Sequence, residues 1–297
     1  MCATRKQGRD IRRNACAAFA VCAAGLSVSI ADAKPKDPVD GVSNPTTTTV
    51  WGVFRDFRKH HQPGGHPDFG KNPAAGDAHS MGNVADTLDA DGCPVFTGAG
   101  SVVATSWTDN AGRQIHPSLF DAAQGDVAGS WGAADNGAIA SVNSFRQWFR
   151  DVPGMNTSAP FGLQFEYDEG AGAWVFDESK VKTNQAIIGG GSNSNFEYSF
   201  ALNLTVRHHA GDGDYIELSG MDDMWVFVDG KLVADLGGVN HAETMFVPLD
   251  RLGLVDGQKY DVKIFMTERI KQRQHLRVVL AADFFGGALP TTMGMYD

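Results

Sequence analysis

Cysteine is scarce in this 297-residue chain, with four residues, three of which (Cys2, Cys16 and Cys22) fall within the first 22 positions. Only Cys93 follows, so no internal disulfide can form beyond the leader and no catalytic Cys–His pairing can be inferred. Neither Cys16 nor Cys22 follows the Leu-small-small triplet of a lipoprotein signal. Basic residues are outnumbered, 25 Lys and Arg against 35 Asp and Glu, for a formal net charge of −10. That balance argues against a general nucleic-acid binder, which needs a basic field to displace counterions. It also argues against docking on anionic membrane surfaces. No long apolar run occurs after residue 30, so no transmembrane anchor is expected in the mature chain. There is no internal repeat, no Ser nucleophile elbow, no phosphate-cradling Gly loop and no helix-borne metal motif.

The chain does have 35 Gly and 18 Phe, with abundant Val and Thr. This composition favours strands joined by tight turns over helical bundles. At the N-terminus, Arg5, Lys6, Arg9, Arg12 and Arg13 precede an apolar stretch from Ala15 to Ile30, and Ala31-Asp32-Ala33 follows. These are the three parts of a secretory signal, so residues 1–33 are expected to be cleaved after Ala33 and the remainder exported. Removing them takes away five basic residues and two acids, leaving 20 against 33 and a net charge of −13. Residues 34–49 are rich in Pro and Thr and are expected to form a linker. Residues 50–286 form the domain and 287–297 a tail.

The second half alternates clearly. Residues 199–206 read apolar and polar in turn, as a half-buried strand should. Residues 224–228 are nearly all apolar and are closed by Asp229-Gly230, after which 231–235 form a second β-prone run. Asp-Gly between two such runs is a hairpin signal. Residues 260–266 alternate after a turn at Asp256-Gly257, and Leu276 to Phe285 is a last strand candidate. The expected fold is all-β, an antiparallel sandwich with long loops. One short helix is expected over 141–149, where Val142, Phe145, Trp148 and Phe149 share a face.

Asp222 and Asp223 stand just before the buried run, and Asp235 opens a Gly-rich loop containing Asn240. Carboxylates and amides gathered at one end of a sheet supply the hard oxygen ligands that Ca²⁺ requires. Asp is equally at home in turns, where it bonds local N–H groups, so residue type leaves both readings open. Glu268-Arg269 reads as a structural ion pair rather than an acid/base dyad. Trp107, Trp131 and Trp174 could stack on sugar faces or fill a large core. His60, His61 and His66 are not spaced for a tetrahedral Zn²⁺ site.

Several ordered motifs carry a resemblance. They are Val53-Phe54-Arg55-Asp56-Phe57, His66-Pro67-Asp68-Phe69, Gly92-Cys93-Pro94-Val95-Phe96, residues 145–156 (FRQWFRDVPGMN), residues 225–233 (WVFVDGKLV), residues 235–239 (DLGGV) and Glu268-Arg269. From about Val50 to Phe285 the chain resembles the fibro-slime domain of secreted bacterial and slime-mould surface proteins. That domain is related to the protective-antigen-type β-sandwich of adhesins, glycosidases and toxins. The resemblance implies a jelly-roll-type sandwich with adhesive or extracellular-matrix roles. In the related flocculin-type lectins an adjacent Asp pair holds Ca²⁺, which in turn holds sugar hydroxyls. Carried onto this chain, the metal ligands are Asp222, Asp223 and Asn240, with His241 beside them at the sugar site. Trp107 is added to that site as an aromatic stacking platform, on residue type. Where the family reads Gly-Asp-Asp-Asp, this chain reads Gly220-Met221-Asp222-Asp223. Either the Asp pair serves with shifted geometry or the site is lost while the fold persists.

The function expected from these features is a secreted or cell-surface, non-catalytic module that binds carbohydrate or extracellular matrix, with Ca²⁺ as the candidate cofactor. Its partner would be a polysaccharide or surface glycan. The alternative is a self-assembling matrix protein whose partners are other matrix proteins, without a ligand site. A glycosidase using Asp222 and Glu268 is a further option.

Overall fold

Val50 and Phe54 turn to one side of the first strand, β1 (Thr47–Phe57), while Trp51 and Arg55 turn to the other. This period-two division places a hydrophobic layer on each side of the sheet. The structure is a computed structural model that describes residues 46–73, 76–135, 139–180, 197–270 and 275–286. The expected signal at 1–33, nearly all of the linker and the tail at 287–297 lie outside the described residues. β1 begins three residues before the expected boundary at Val50. Its β-branched Thr47, Thr48 and Thr49 pair with Glu166, Phe165 and Gln164.

Two short strands follow, β2 (Ser80–Met81) and β3 (Ser101–Thr105), then β4 (Ser130–Ala134), and these three form a small sheet of their own. The helix α1 (Val142–Phe145) comes next. The main sheet resumes with β5 (Asn156–Asp168), β6 (Ala173–Asp177), β7 (Tyr198–Arg207), β8 (Tyr215–Gly220) and β9 (Met224–Val228). It is completed by β10 (Lys231–Leu236), β11 (Glu243–Pro248), β12 (Lys259–Glu268), β13 (Leu276–Ala281) and β14 (Asp283–Gly286).

All pairings are antiparallel, in the order β10-β9-β12-β7-β1-β5-β6-β13-β8-β11, with β14 lying beside the end of β7. The first and last strands of this order, β10 and β11, approach each other, so the sheet doubles back on itself. Its inner faces enclose the main core, which includes Phe54, Phe165, Phe200, Val226, Ile264 and Phe284. The antiparallel all-β architecture expected from the alternation is therefore present. The turn at Asp229-Gly230 is a tight hairpin with φ of 51° and 72°, the positive values that a type I′ turn requires. The expected strand from Leu276 to Phe285 divides into two. β13 pairs with β6 and β8, whereas β14 crosses to β7.

The chain between β1 and β5 lies over the outer face of the main sheet and builds a second core. Phe57, Phe69, Phe145, Trp148, Trp225 and Phe265 are all buried in it. The expected helix over 141–149 shortens to one α-helical turn. Ser141 and Ser144 cap it reciprocally, after which Gln147 and Trp148 donate to carbonyls three residues back. This tightening tucks Trp148 and Phe149 inward and leaves Val142 exposed. Among the described residues, no helix is long and apolar enough to cross a membrane.

Candidate functional site

The turn from β8 to β9 holds Asp222 at φ 43°, a left-handed conformation that Asp tolerates because its short side chain bonds locally. Its Oδ2 accepts N–H bonds from Arg269, at 2.6 Å, and Ile270, at 3.3 Å. Asp223 faces the other way. Its Oδ1 accepts from the Gly238 N–H at 2.7 Å and its Oδ2 from the Thr267 hydroxyl at 3.1 Å. Arg269 Nε lies 2.7 Å from the same Oδ2. The two carboxylates thus join the start of β9 to the loop after β10 and to the end of β12.

The Gly-rich loop is locked from the opposite side by the segment leading into β2. Ala78 N–H donates to Val239 O and Ser80 N–H to Gly237 O. Gly238 has φ 95°, and a Cβ there would collide with the Ala78 carbonyl, so only glycine fits. Asp235 accepts from Trp225 Nε1, Gly237 N–H and Gly82 N–H, while its own carbonyl contacts His79 Nε2 at 3.0 Å.

These groups are sealed in. Asp222, Asp223, Asn240 and Glu268 are 3, 0, 4 and 4 % exposed. Burial raises the Asp222 pKa to about 7, against the opposing pull of Arg269 and its backbone donors. Complete burial likewise raises Asp235 to about 7 despite its three N–H donors. Glu268 is raised well above the usual carboxylate range by burial and by Asp222, Glu178 and Glu197 nearby.

Of the residues expected to form the site, Asp222, Asp223 and Asn240 do converge on one end of the sheet, but they do so inside the protein. Asn240 donates to Gly238 O at 3.1 Å, and its buried Oδ1 has no hydrogen-bond partner among the described residues. His241 is exposed beside it. Trp107 is 9 % exposed rather than open to solvent, because Trp131 covers it at a ring separation of 4.6 Å and Gly129 packs against its other atoms. Trp131 is the exposed member of that pair, and Trp174 lies in the main core. His66 is fully buried with Nε2 3.1 Å from Ser144 O, which makes it a packing residue.

This donor set does not fit a divalent cation as it stands. Both Asp223 oxygens are engaged, and a guanidinium already occupies the place of a positive charge against Oδ2. Asp222 Oδ2 and both Asp235 oxygens accept N–H groups. Among the described residues, no three His, Cys, Asp or Glu side chains are grouped to hold a metal ion. Asp222 and Glu268 are also too enclosed to flank a scissile bond.

Outside the seal, a cleft of about 250 Å³ opens between the small sheet and the Gly-rich loop, lined by Ser80, Val102, Asp135, Gly238 and Val239 among others. Residues 210–282 match the PA14 domain. The PA14 match runs from just before β8 through β13 and contains Asp222, Asp223, Asp235, Asn240, Glu268 and Arg269. Two curated relatives are from Dictyostelium discoideum. Protein psiR is 29 % identical over 170 residues, which is 52 % of this chain and 17 % of psiR. Protein psiD is 31 % identical over 164 residues, 50 % of this chain and 32 % of psiD. The chain thus spans about a third or less of these relatives' length. Among solved structures, the PA14 sugar-binding domain from an RTX adhesin shares 11 % identity and covers 80 % of this chain and 95 % of its own, with a TM-score of 0.24.

Sequence reasoning did not single out His79, Thr267 or Gly238 as partners of the Asp cluster. His79 and Thr267 carry no local motif, but Gly237-Gly238 after a strand was a legible sign of close backbone approach.

Proposed function

We propose that the chain works outside the cell as a non-catalytic carbohydrate-binding module of the fibro-slime type. The observation that carries this reading is the PA14 match over residues 210–282, which takes in Asp222, Asp223, Asp235, Asn240, Glu268, Arg269 and the Gly-rich loop beside the cleft. The N-terminal basic, apolar and A-x-A pattern supports export. Enclosure of Asp222 and Glu268 supports a binding role over hydrolysis. In this reading the Asp pair is a scaffold. It holds the loop at 237–241 against the ends of β9 and β12, and His241 and the cleft lining meet the glycan. The internal cation is Arg269, so binding does not pass through Ca²⁺.

The test is a glycan array and pull-down on insoluble polysaccharides with the chain from residue 34 onward. Saturable binding to at least one glycan is expected. No binding to any polysaccharide or surface extract would overturn the reading.

One observation favours a second reading, assembly with copies of itself or other matrix proteins. β4 is an edge strand with all five residues exposed, and it carries Trp131 at 49 % exposure. An open edge of this kind can accept another strand. Concentration-dependent growth in light scattering, abolished by Gly132→Pro, would support it; a monomer at all concentrations would remove it.

A further inference from the structure

The outer face of the main sheet is only partly covered by the chain between β1 and β5. Phe149 packs on Phe265 at 4.9 Å, Ser199 bonds to the Trp148 carbonyl, and Cys93 closes the layer. Among the described residues the cover stops beyond Gly92. There the face of β1, β7 and β12 opens as a cleft of about 240 Å³, whose lining includes Trp51, Arg55, Asp91, Asn203 and Lys263. A second depression, of about 280 Å³, continues along the same strands and shares Asn203 and Lys263 with the first, adding Thr205 and Asp261. The register explains this continuity. Asn203 lies opposite Lys263 and Thr205 opposite Asp261, so their side chains form one row on the outward face.

Two glycines shape the groove. Trp51 is opposite Gly162, where a Cβ would come within 3.4 Å of the indole. The ring therefore lies over a residue without a side chain and remains 37 % exposed. At the other wall, a Cβ on Gly92 would collide with Lys263 Nζ, and the ammonium instead reaches the Gly92 carbonyl at 3.3 Å. The charges around the groove are largely balanced. Arg55 is paired with Asp151 at 2.8 Å, and Arg150 is shared between Asp89 and Asp91, the latter at 3.4 Å. Lys263 and Asp261 add one charge of each sign, so the region carries a single excess negative charge. Arg55 Nη1 is buried in this region with no hydrogen-bond partner among the described residues.

We infer that this groove is a second carbohydrate site, for neutral pyranose residues of a polysaccharide, separate from the Gly-rich loop end. Trp51 offers a flat apolar surface that loses little freedom on binding. Asn203, Lys263, Asp91 and Asp261 supply donors and acceptors in the mixture that paired sugar hydroxyls need. A slight negative excess suits a neutral polyol better than a uronate, which Asp91 and Asp261 would repel. A concave surface with one aromatic platform and a few convergent polar groups is the usual form of a small-ligand site. The inference rests on the carbohydrate-binding reading and adds a location and a sugar class to it.

The experiment is calorimetric titration of the chain from residue 34 with cellohexaose, laminarihexaose, mannohexaose and oligogalacturonate. It is repeated on Trp51→Ala, Lys263→Met and Asn203→Ala after confirming native circular dichroism. Binding of a neutral hexaose, weakened at least tenfold by Trp51→Ala and by Lys263→Met, is the expected result. The exposed Asn203 keeps the test valid if the Trp51 variant fails to fold. Neutral-glycan binding unchanged in all folded variants would overturn the groove while leaving the carbohydrate-binding reading intact. Binding of oligogalacturonate alone would overturn the sugar class. Failure to bind these or any arrayed glycan would remove the reading on which both rest.

Discussion

Arg269 Nε lies 2.7 Å from Asp223 Oδ2, and neither side chain exceeds 1 % exposure. The guanidinium also sits 5.0 Å from the Trp148 ring, so it joins the loop end to the outer aromatic core. A buried pair of this kind adds little net stability over an apolar substitute, but removing one partner strands the other charge. Arg269→Met is therefore expected to destabilise the fold by about 3–5 kcal/mol. Asp223→Asn combined with Arg269→Met should recover a substantial part of that loss. Urea denaturation of the wild type, both singles and the double variant checks the cycle. Equal losses in the double variant and the sum of the singles would contradict the coupling.

Asp222 holds two backbone N–H groups with one oxygen. Asp222→Ala leaves both donors buried and forces alanine into φ 43°, with an expected cost of about 2–4 kcal/mol. Asp222→Asn keeps an acceptor and tolerates the left-handed backbone, so it should cost less than half as much. Thermal and urea unfolding of the two variants side by side would show this ordering. An equal loss in both would mean that the N–H bonds are not what Asp222 supplies.

Gly238→Ala tests the closeness of the two loops. The added methyl meets the Ala78 carbonyl, and φ 95° is strained for any L side chain. A destabilisation of about 3 kcal/mol or more is expected. Faster hydrogen exchange should appear at Ala78 and Ser80, whose N–H groups bond to this loop. Unchanged exchange there would contradict the packing.

Asp235 sets a pH dependence with a definite sign. Its pKa in the folded protein is raised to about 7, above the ordinary carboxylate value of 3.8. The folded state therefore binds the proton more tightly than the unfolded chain. The stability this supplies is complete below about pH 4 and fades as pH rises through 7. Asp235→Asn removes the titration, so the wild-type-minus-variant stability gap should be widest at about pH 4 and fall steadily to about pH 8. Urea midpoints at half-unit pH steps would measure it. A gap that widens with pH would reverse the assignment.

β7, β9, β10, β12 and the start of the 276–285 run were legible because their side chains alternate or are continuously apolar and because Asp229-Gly230 can adopt the turn that a two-residue hairpin needs. β8 and β11 were not singled out. The excursion between β1 and β5 was much less so. Its short strands and single helical turn are held by contacts with distant elements, such as Ser199 to the Trp148 carbonyl and Asp68 to Trp148 Nε1, which leave no periodic trace. The Asp pair was correctly located on a loop at one end of the sheet. Its enclosure was not legible, because it depends on Arg269 and Gly238 arriving from other strands. Trp107 was expected at a sugar face, yet Trp131 on β4 covers it. Trp51 was not singled out, although its outward position could have been counted from Val50 and Phe54.

The most direct test compares glycan affinity of the chain in excess Ca²⁺ with its affinity after exhaustive EGTA treatment, alongside a calorimetric Ca²⁺ titration. With Arg269 as the internal cation, the two affinities should agree within error and the titration should show no saturable heat. Glycan binding that disappears in EGTA and returns with Ca²⁺, together with saturable Ca²⁺ uptake lost in Asp223→Ala, would contradict the account.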